Sequence, residues 1–244
     1  MKKNVLITGG SNGIGAATAI LFAQNGYNVI INYNNSRQAA VLLQQSLTEN
    51  GCNVIATRAD VRERAQVEKM FETAFREFGT IDILINNAGI AQQKLFTDIS
   101  NFDWENMLAT NLTGVFNCCQ AVLPSMIRKK SGSIVNVSSI WGETGGSCEV
   151  HYSAAKAGVI GLTKALAKEV GPSGIRVNCV APGVIKTNMT SGFSIEDLTA
   201  LAKETPLGRL GTGEDVANAI YFLSTSDSDF LTGQVISPNG GLYI

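Results

Sequence analysis

Asn4-Val5-Leu6-Ile7-Thr8-Gly9-Gly10-Ser11-Asn12-Gly13-Ile14-Gly15-Ala16-Ala17 joins a short apolar run to a glycine-rich turn and then to an alanine-rich segment of helical composition. Glycine lets a backbone turn sharply and approach a bound group closely, and the unpaired N–H groups that open a helix attract a phosphate. A glycine-rich loop alone is a weak signal. Placed between the first strand and first helix of an alternating chain, it marks a dinucleotide pyrophosphate site. The spacing here is T-G-x-x-x-G-x-G, and Gly9, Gly10, Ser11, Asn12, Gly13, Ile14 and Gly15 are its candidate contacts.

Working outward, β-branched apolar runs at 4–8, 28–33, 53–59, 81–86, 133–138 and 174–180 read as strands, and helical periods fill 13–25, 36–50, 63–78, 101–129 and 151–170. In the third helix Val67, Met70, Phe71, Ala74, Phe75 and Phe78 share one face, as in a helix packed on a core. Strands apolar throughout, each followed by a helix, predict an α/β fold with a parallel sheet covered on both sides. Right-handed crossovers make that sheet doubly wound, with ligands at the carboxyl ends of its strands. No repeat or linker interrupts the chain, so residues 1–244 are expected to form one domain. The least regular stretch, roughly 184–212, carries Gly192, Pro206, Gly208 and Gly211, with Gly213 at its edge, and is expected to act as a mobile lid over the site.

Composition narrows the function classes. Hydrophobic residues make up 45% and charged residues 16%, enough for a sizeable core and too few charges for disorder. With a net charge of −1 and only the short cluster Arg128, Lys129 and Lys130, no nucleic-acid partner is expected. The five cysteines form no C-x-x-C pair, and with one histidine no metal site is expected. An odd cysteine count without a framework fits reduced thiols in a cytoplasmic protein. The apolar run behind Lys2 and Lys3 ends after three residues, too soon for a signal segment or a membrane span.

The end of the second strand bears on the ribose. NAD sites place an acid about 20 residues past the glycines to bind the 2′-hydroxyl. Here the chain reads Ile31-Asn32-Tyr33-Asn34-Asn35-Ser36-Arg37, without a carboxylate. A 2′-phosphate would meet no repulsion, and Asn34, Ser36 or Arg37 could donate to it. NADPH is therefore expected in preference to NADH.

Later in the chain stand Asn86-Asn87-Ala88-Gly89, Ser138-Ser139, Tyr152-Ser153-Ala154-Ala155-Lys156 and Ala181-Pro182-Gly183. Tyr152 and Lys156 lie one helical turn apart on one face. A phenol titrates near ~10 in water, and a nearby ammonium is expected to lower that value. Tyr152 is then placed to exchange a proton with a substrate oxygen, and Ser139 to donate a hydrogen bond to the same oxygen.

Taken with the glycine loop, this set resembles the short-chain dehydrogenase/reductase family along essentially the whole chain, which implies a Rossmann-like fold. The resemblance implies further roles. Asn111, in Ala109-Thr110-Asn111-Leu112, would hold a water in the proton relay, and Lys156 would also bind the nicotinamide ribose. Asp60 and Val61 would contact adenine, Asn87 would line the cleft, and Pro182, Gly183, Ile185 and Thr187 would flank the nicotinamide.

The C-terminal stretch, from Pro206-Leu207-Gly208-Arg209 to Gly240-Gly241, looks like the β-ketoacyl-acyl-carrier-protein reductases, which implies NADPH, a carrier-bound substrate and a homotetramer paired through the long helices and the C-terminal strand. Three features depart from that group: Ala91-Gln92-Gln93-Lys94 after the Asn-Ala-Gly motif, Pro172-Ser173 before Gly174, and the loop 140–151. That loop, with residues 91–96, is similar to reductases of a 5-aminopentanoyl modification on elongation factor P. Gln93, Trp141 and Glu149 are the candidate substrate residues, and Glu149 or Glu143 could pair with a substrate amine. The other reading of Glu149 is a cap for the helix bearing Tyr152. His151 reads as a packing or hydrogen-bonding residue rather than a catalyst. A non-catalytic nucleotide-binding regulator on the same fold and an NAD-dependent alcohol dehydrogenase are the rival functions.

Overall fold

The computed structural model describes residues 2–187, 192 and 194–244. Seven strands form one sheet: β1 (Asn4–Ile7), β2 (Asn28–Tyr33), β3 (Val54–Arg58), β4 (Ile83–Asn86), β5 (Gly132–Val137), β6 (Ile175–Val180) and β7 (Val235–Ile236). Their order is β3-β2-β1-β4-β5-β6-β7, with every pairing parallel. This is the expected doubly wound α/β sheet. The six strands read residue by residue are present. The seventh, implied only by the family resemblance, is two residues long and pairs with Cys179 and Val180.

Alternation along each strand builds two cores. Leu6, Ile30, Leu84, Ile134 and Val177 face one side, where α3 (Arg64–Phe78), α5 (Gly114–Lys129) and α7 (Val150–Val170) cover them. Val5, Ile7, Val29, Ile31, Ile83 and Ile85 face the other, under α1 (Gly13–Gln24), α2 (Arg37–Glu49) and α9 (Gly213–Ser224). Strand order reverses between β1 and β4, and a ligand crevice opens at the carboxyl ends of strands at such a point.

The helix expected over 101–129 is not one uniform helix. It divides into α4 (Asn101–Leu108), a π-helical turn at Ala109–Thr113, and α5. Such wide turns arise where tertiary contacts reposition a side chain, and this one carries Asn111 inward. A four-residue helix, α6 (Trp141–Thr144), follows β5. The irregular stretch contains a regular helix, α8 (Ile195–Glu204), opened by a Ser194–Asp197 capping box, and α9 opens with a Thr212–Asp215 box. The lid expected over 184–212 falls partly on residues 188–191 and 193, which lie outside the described residues. Among the described residues, no helix is long and apolar enough to cross a membrane, and no group of His, Cys, Asp and Glu could hold a metal ion.

Candidate active site

A cleft of about 650 Å³ opens at the β1–β4 switch point. Of the residues expected to bind the cofactor, Gly9, Ser11, Asn12, Gly13, Ile14, Asn34, Ser36, Asp60, Val61, Asn87 and Thr187 line it. Gly10 and Gly15 lie beneath the loop. A Cβ at Gly15 would overlap the Gly9 carbonyl oxygen and stand 2.6 Å from Asn87 Nδ2. Gly9 itself has φ +61°, a conformation that favours glycine. Asn87 Nδ2 donates to the Thr8 and Gly9 carbonyl oxygens at 3.0 and 3.1 Å, fixing the loop from β4. Helix α1 has no side-chain cap at Asn12 and no acid in its first turn, so its first N–H groups face the cleft without a local anion. The cradle fits a pyrophosphate.

At the ribose end the hydrogen bonds differ from the simplest expectation. Asn34 Nδ2 donates to Asp60 Oδ2 at 3.0 Å, so Asn34 is already engaged. Arg62 grips the same carboxylate, with Nε 3.0 Å from Oδ1 and Nη2 2.6 Å from Oδ2, and Nη1 reaches Asn106 Oδ1 at 2.7 Å. Those bonds hold the Asp60 carboxyl below the usual carboxylate range. Arg37 begins α2 and is not among the cleft-lining residues. A cation missed in the sequence is tied to this turn, although like Arg37 it is not among the cleft-lining residues: Arg58 Nε donates to the Asn34 carbonyl oxygen at 3.2 Å. Arg58 is the register partner of Tyr33 across β2 and β3, and only the sheet register could have revealed it.

At the other end, four polar side chains from three elements converge. Tyr152, Lys156, Ser139 and Asn111 are all buried, Asn111 completely. Lys156 Nζ donates to the Val137 carbonyl oxygen at 2.8 Å and stands 5.7 Å from the centre of the Tyr152 ring. Asn111 Oδ1 accepts from Ile90 N, and Nδ2 donates to Ile90 O, both at 2.8 Å. A Cβ at Gly89 would meet Asn111 Oδ1 at 2.9 Å and Lys156 Nζ at 3.5 Å, so the two side chains reach one point on the cleft wall.

The electrostatics correct one expectation. Burial pushes the Tyr152 phenol up to about 12, against a smaller opposing effect of its hydrogen bond to Ser139. Burial likewise pushes the Lys156 ammonium down to about 8. The ammonium does not lower the phenol below ~10, because desolvation disfavours the charged form of both groups. In the protein alone Tyr152 is an un-ionised acid at neutral pH.

The expected substrate residues lie beside this centre. Trp141 packs against the cluster of Met107, Tyr152 and Ala155, and its backbone N–H donates to Ser139 Oγ at 3.2 Å. Gln93 Nε2 donates to Glu149 Oε1 at 3.4 Å, and the Glu149 side chain does not cap α7. Burial raises the Glu149 carboxyl. Glu143 instead accepts from Ser237 Oγ at 2.6 Å. Pro182 accepts from Ile140 N at 3.0 Å, and Gly183 packs on Asn239. Ile185 lines a second cavity of about 230 Å³ with Leu207, Arg209 and Asn239. Thr187 lies against Gly13.

Residues 9–243 match the family described as enoyl-(acyl carrier protein) reductase. Curated relatives run the full length of the chain. The 3-oxoacyl-[acyl-carrier-protein] reductase FabG of Staphylococcus aureus strain Mu50 is 41% identical over 244 residues, covering 100% of this chain and 99% of that protein. The protein of the same name from Staphylococcus epidermidis strain RP62A is 41% identical, with 100% of both chains covered. That of Chlamydia muridarum is 43% identical over 242 residues, covering 99% of this chain and 98% of the relative. With the glycine cradle at one end of the cleft and Ser139, Tyr152 and Lys156 at the other, this chain is an oxidoreductase that belongs to the short-chain dehydrogenase/reductase family.

Proposed function

We propose that the chain reduces the 3-oxo group of an acyl chain carried on acyl carrier protein, using NADPH. The observation that carries this reading is the buried phenol of Tyr152 beside Ser139 and Lys156 at the end of a dinucleotide cleft. The full-length relatives named as 3-oxoacyl-[acyl-carrier-protein] reductases support the choice of carbonyl.

Gly9, Ser11, Gly13 and the N-terminus of α1 would hold the pyrophosphate, Asp60 and Val61 the adenine, and Lys156 the nicotinamide ribose. When bound, the cofactor supplies a hydride. Tyr152 holds the proton that the substrate oxygen takes as the C=O bond becomes C–O–H. Ser139 donates a hydrogen bond to that oxygen and stabilises the charge that develops on it. Lys156 stands next in line to restore the phenol proton, and Asn111 holds Ile90 and the wall behind Lys156 in place. For the 2′-phosphate, the end of β2 offers no free carboxylate, and Arg58 supplies the cation. We place the enzyme in the cytoplasm, as a homotetramer. The exposed Phe102 and Phe116 on α4 and α5, and Phe230 and Ile244 near the C-terminus, are the apolar surface available for assembly.

A second reading has one observation in its favour. Glu149 is a half-buried carboxylate close to Tyr152, suited to the amine of an aminopentanoyl group on elongation factor P. A substrate panel read by NADPH absorbance separates the readings. Turnover of acetoacetyl-carrier protein well above that of an enoyl thioester or aminopentanoylated elongation factor P is the expected result. Turnover only of the modified elongation factor would select the second reading. Tight NADPH binding with no turnover of any carbonyl would instead make the chain a regulator.

A further inference from the structure

Helix α7 carries Tyr152 in its first turn, where helices fray most readily. That turn has no local support of the usual kind. Its N-cap residue, Glu149, makes no side-chain capping bond, and no acid lies in the first turn. An uncapped start weakens a helix by about 1 kcal/mol; the bond from Gly146 N to Ser153 Oγ at 2.9 Å holds one side of the turn, and the other side is held from the loop after β4.

Three consecutive cross-links join residues 92–94 to residues 148–151. Lys94 N donates to the Cys148 carbonyl oxygen at 2.7 Å. Gln93 Nε2 donates to Glu149 Oε1 at 3.4 Å. Gln92 Oε1 meets His151 Nε2 at 2.9 Å. The segment is itself tied down at both ends: Ile90 by Asn111, and Gln92 and Lys94 by Asp103, at 3.1 Å to Oδ1 and 2.7 Å to Oδ2. Asp103 is fixed in turn as a member of the α4 capping box.

The chain of partners also sets the state of His151. The Asp103 carboxylate only accepts, so Gln92 turns its amide nitrogen to Asp103 and its oxygen to His151. His151 Nε2 must then carry the hydrogen, a requirement that the neutral ring with Nδ1 as its acceptor satisfies. Burial, which lowers the His151 pKa, favours the same neutral form. His151 is fully buried and, among the described residues, Nδ1 has no hydrogen-bond partner, so the ring's hydrogen bond there is the one to Gln92.

We infer that residues 90–94 form a strap that positions Tyr152, with Gln92 and His151 as the positioning residues and Asp103 as the anchor. The inference rests on the reading of Tyr152 as proton donor. The same strap connects the Asn111 wall to the first turn of α7, so both halves of the centre are set by one loop.

The test uses the full-length protein with four variants and three readouts: kcat with acetoacetyl-carrier protein, NADPH Kd by fluorescence, and amide hydrogen exchange of residues 149–153. Gln92→Leu acts from the loop side and leaves the buried core of α7 untouched. It is expected to lower kcat about tenfold, to raise exchange at 149–153 about tenfold, and to leave NADPH Kd within twofold. His151→Phe should behave alike, whereas His151→Gln keeps a donor toward Gln92 and should recover most of kcat. Unchanged kcat in Gln92→Leu, with or without faster exchange, overturns the inference. So does a common loss of kcat, cofactor affinity and protection throughout α7, which would mark a general structural role. Tyr152→Phe separates the underlying reading: if it turns over normally, the proton-donor assignment fails, while the exchange data still report on the strap itself.

Discussion

Lys156 donates to the Val137 carbonyl oxygen at 2.8 Å from a buried position on the face of α7 turned to β5. The bond aims the ammonium at the point where Gly89 and Asn111 meet. Its setting also makes the lysine costly to keep.

Burial lowers Lys156 from 10.5 to about 8, so between those values the unfolded chain binds more protons than the folded protein. Stability therefore rises with pH across that window. Below pH 8 the whole penalty stands, about 3 kcal/mol at ~1.4 kcal/mol per unit. The Val137 hydrogen bond offsets about 1 kcal/mol of it. Lys156→Met is expected to be inactive yet about 2 kcal/mol more stable than wild type at pH 7. The advantage should vanish as pH rises from 8 to 10.5. Tyr152, raised to about 12, lowers stability only above its unfolded value near ~10, and does so in both proteins. Chemical denaturation at pH 7, 9 and 10.5 measures the difference, and a destabilised variant at pH 7 contradicts the argument.

Tyr152→Phe removes the proton and keeps the ring that packs on Met107 and Trp141. General acid catalysis contributes about 10²–10⁴-fold, so kcat should fall by at least about a hundredfold. NADPH Kd should stay within a few-fold. Steady-state kinetics paired with cofactor titration checks both.

Gly15→Ala tests the cradle. The added methyl collides with the Gly9 carbonyl and with Asn87, so the loop must shift where it approaches the pyrophosphate. A loss of NADPH affinity above about tenfold is expected, since charge-assisted hydrogen bonds are worth about 1.5–3 kcal/mol each. Retained affinity in isothermal titration would place the phosphates elsewhere.

Arg58→Ala tests the 2′-phosphate. Removing one charge-assisted contact should weaken 2′,5′-ADP binding about tenfold and leave 5′-AMP binding unchanged. The companion Tyr33→Asp should shift preference toward NADH by repelling the 2′-phosphate. Equal losses for both nucleotides in Arg58→Ala would show that the residue only braces the Asn34 turn.

Much of this was readable in the chain. The apolar runs and the period of Val67, Met70, Phe71 and Ala74 reported sheet and helix because burial imposes those spacings wherever a core forms. The capping boxes at Ser194–Asp197 and Thr212–Asp215 were also written locally, and would have revealed α8 inside the stretch read as irregular and α9 just after it. The π-helical turn at Asn111 left no such trace, since its residues suit an ordinary helix and only the pull toward Ile90 widens the turn. Arg58 was invisible for a related reason: its partner, Asn34, is brought to it by strand register.

Sequence by itself determined the doubly wound sheet, the glycine turn and the presence of a phenol, an amine and a hydroxyl at family-like spacings, because periodicity and short-range geometry are properties of neighbouring residues. Tertiary structure alone decided the protonation of Tyr152 and Lys156, the engagement of Asn34 by Asp60, and the strap from Gln92 to His151. Desolvation and hydrogen bonding depend on groups tens of residues away, and those distances are set only when the chain has folded.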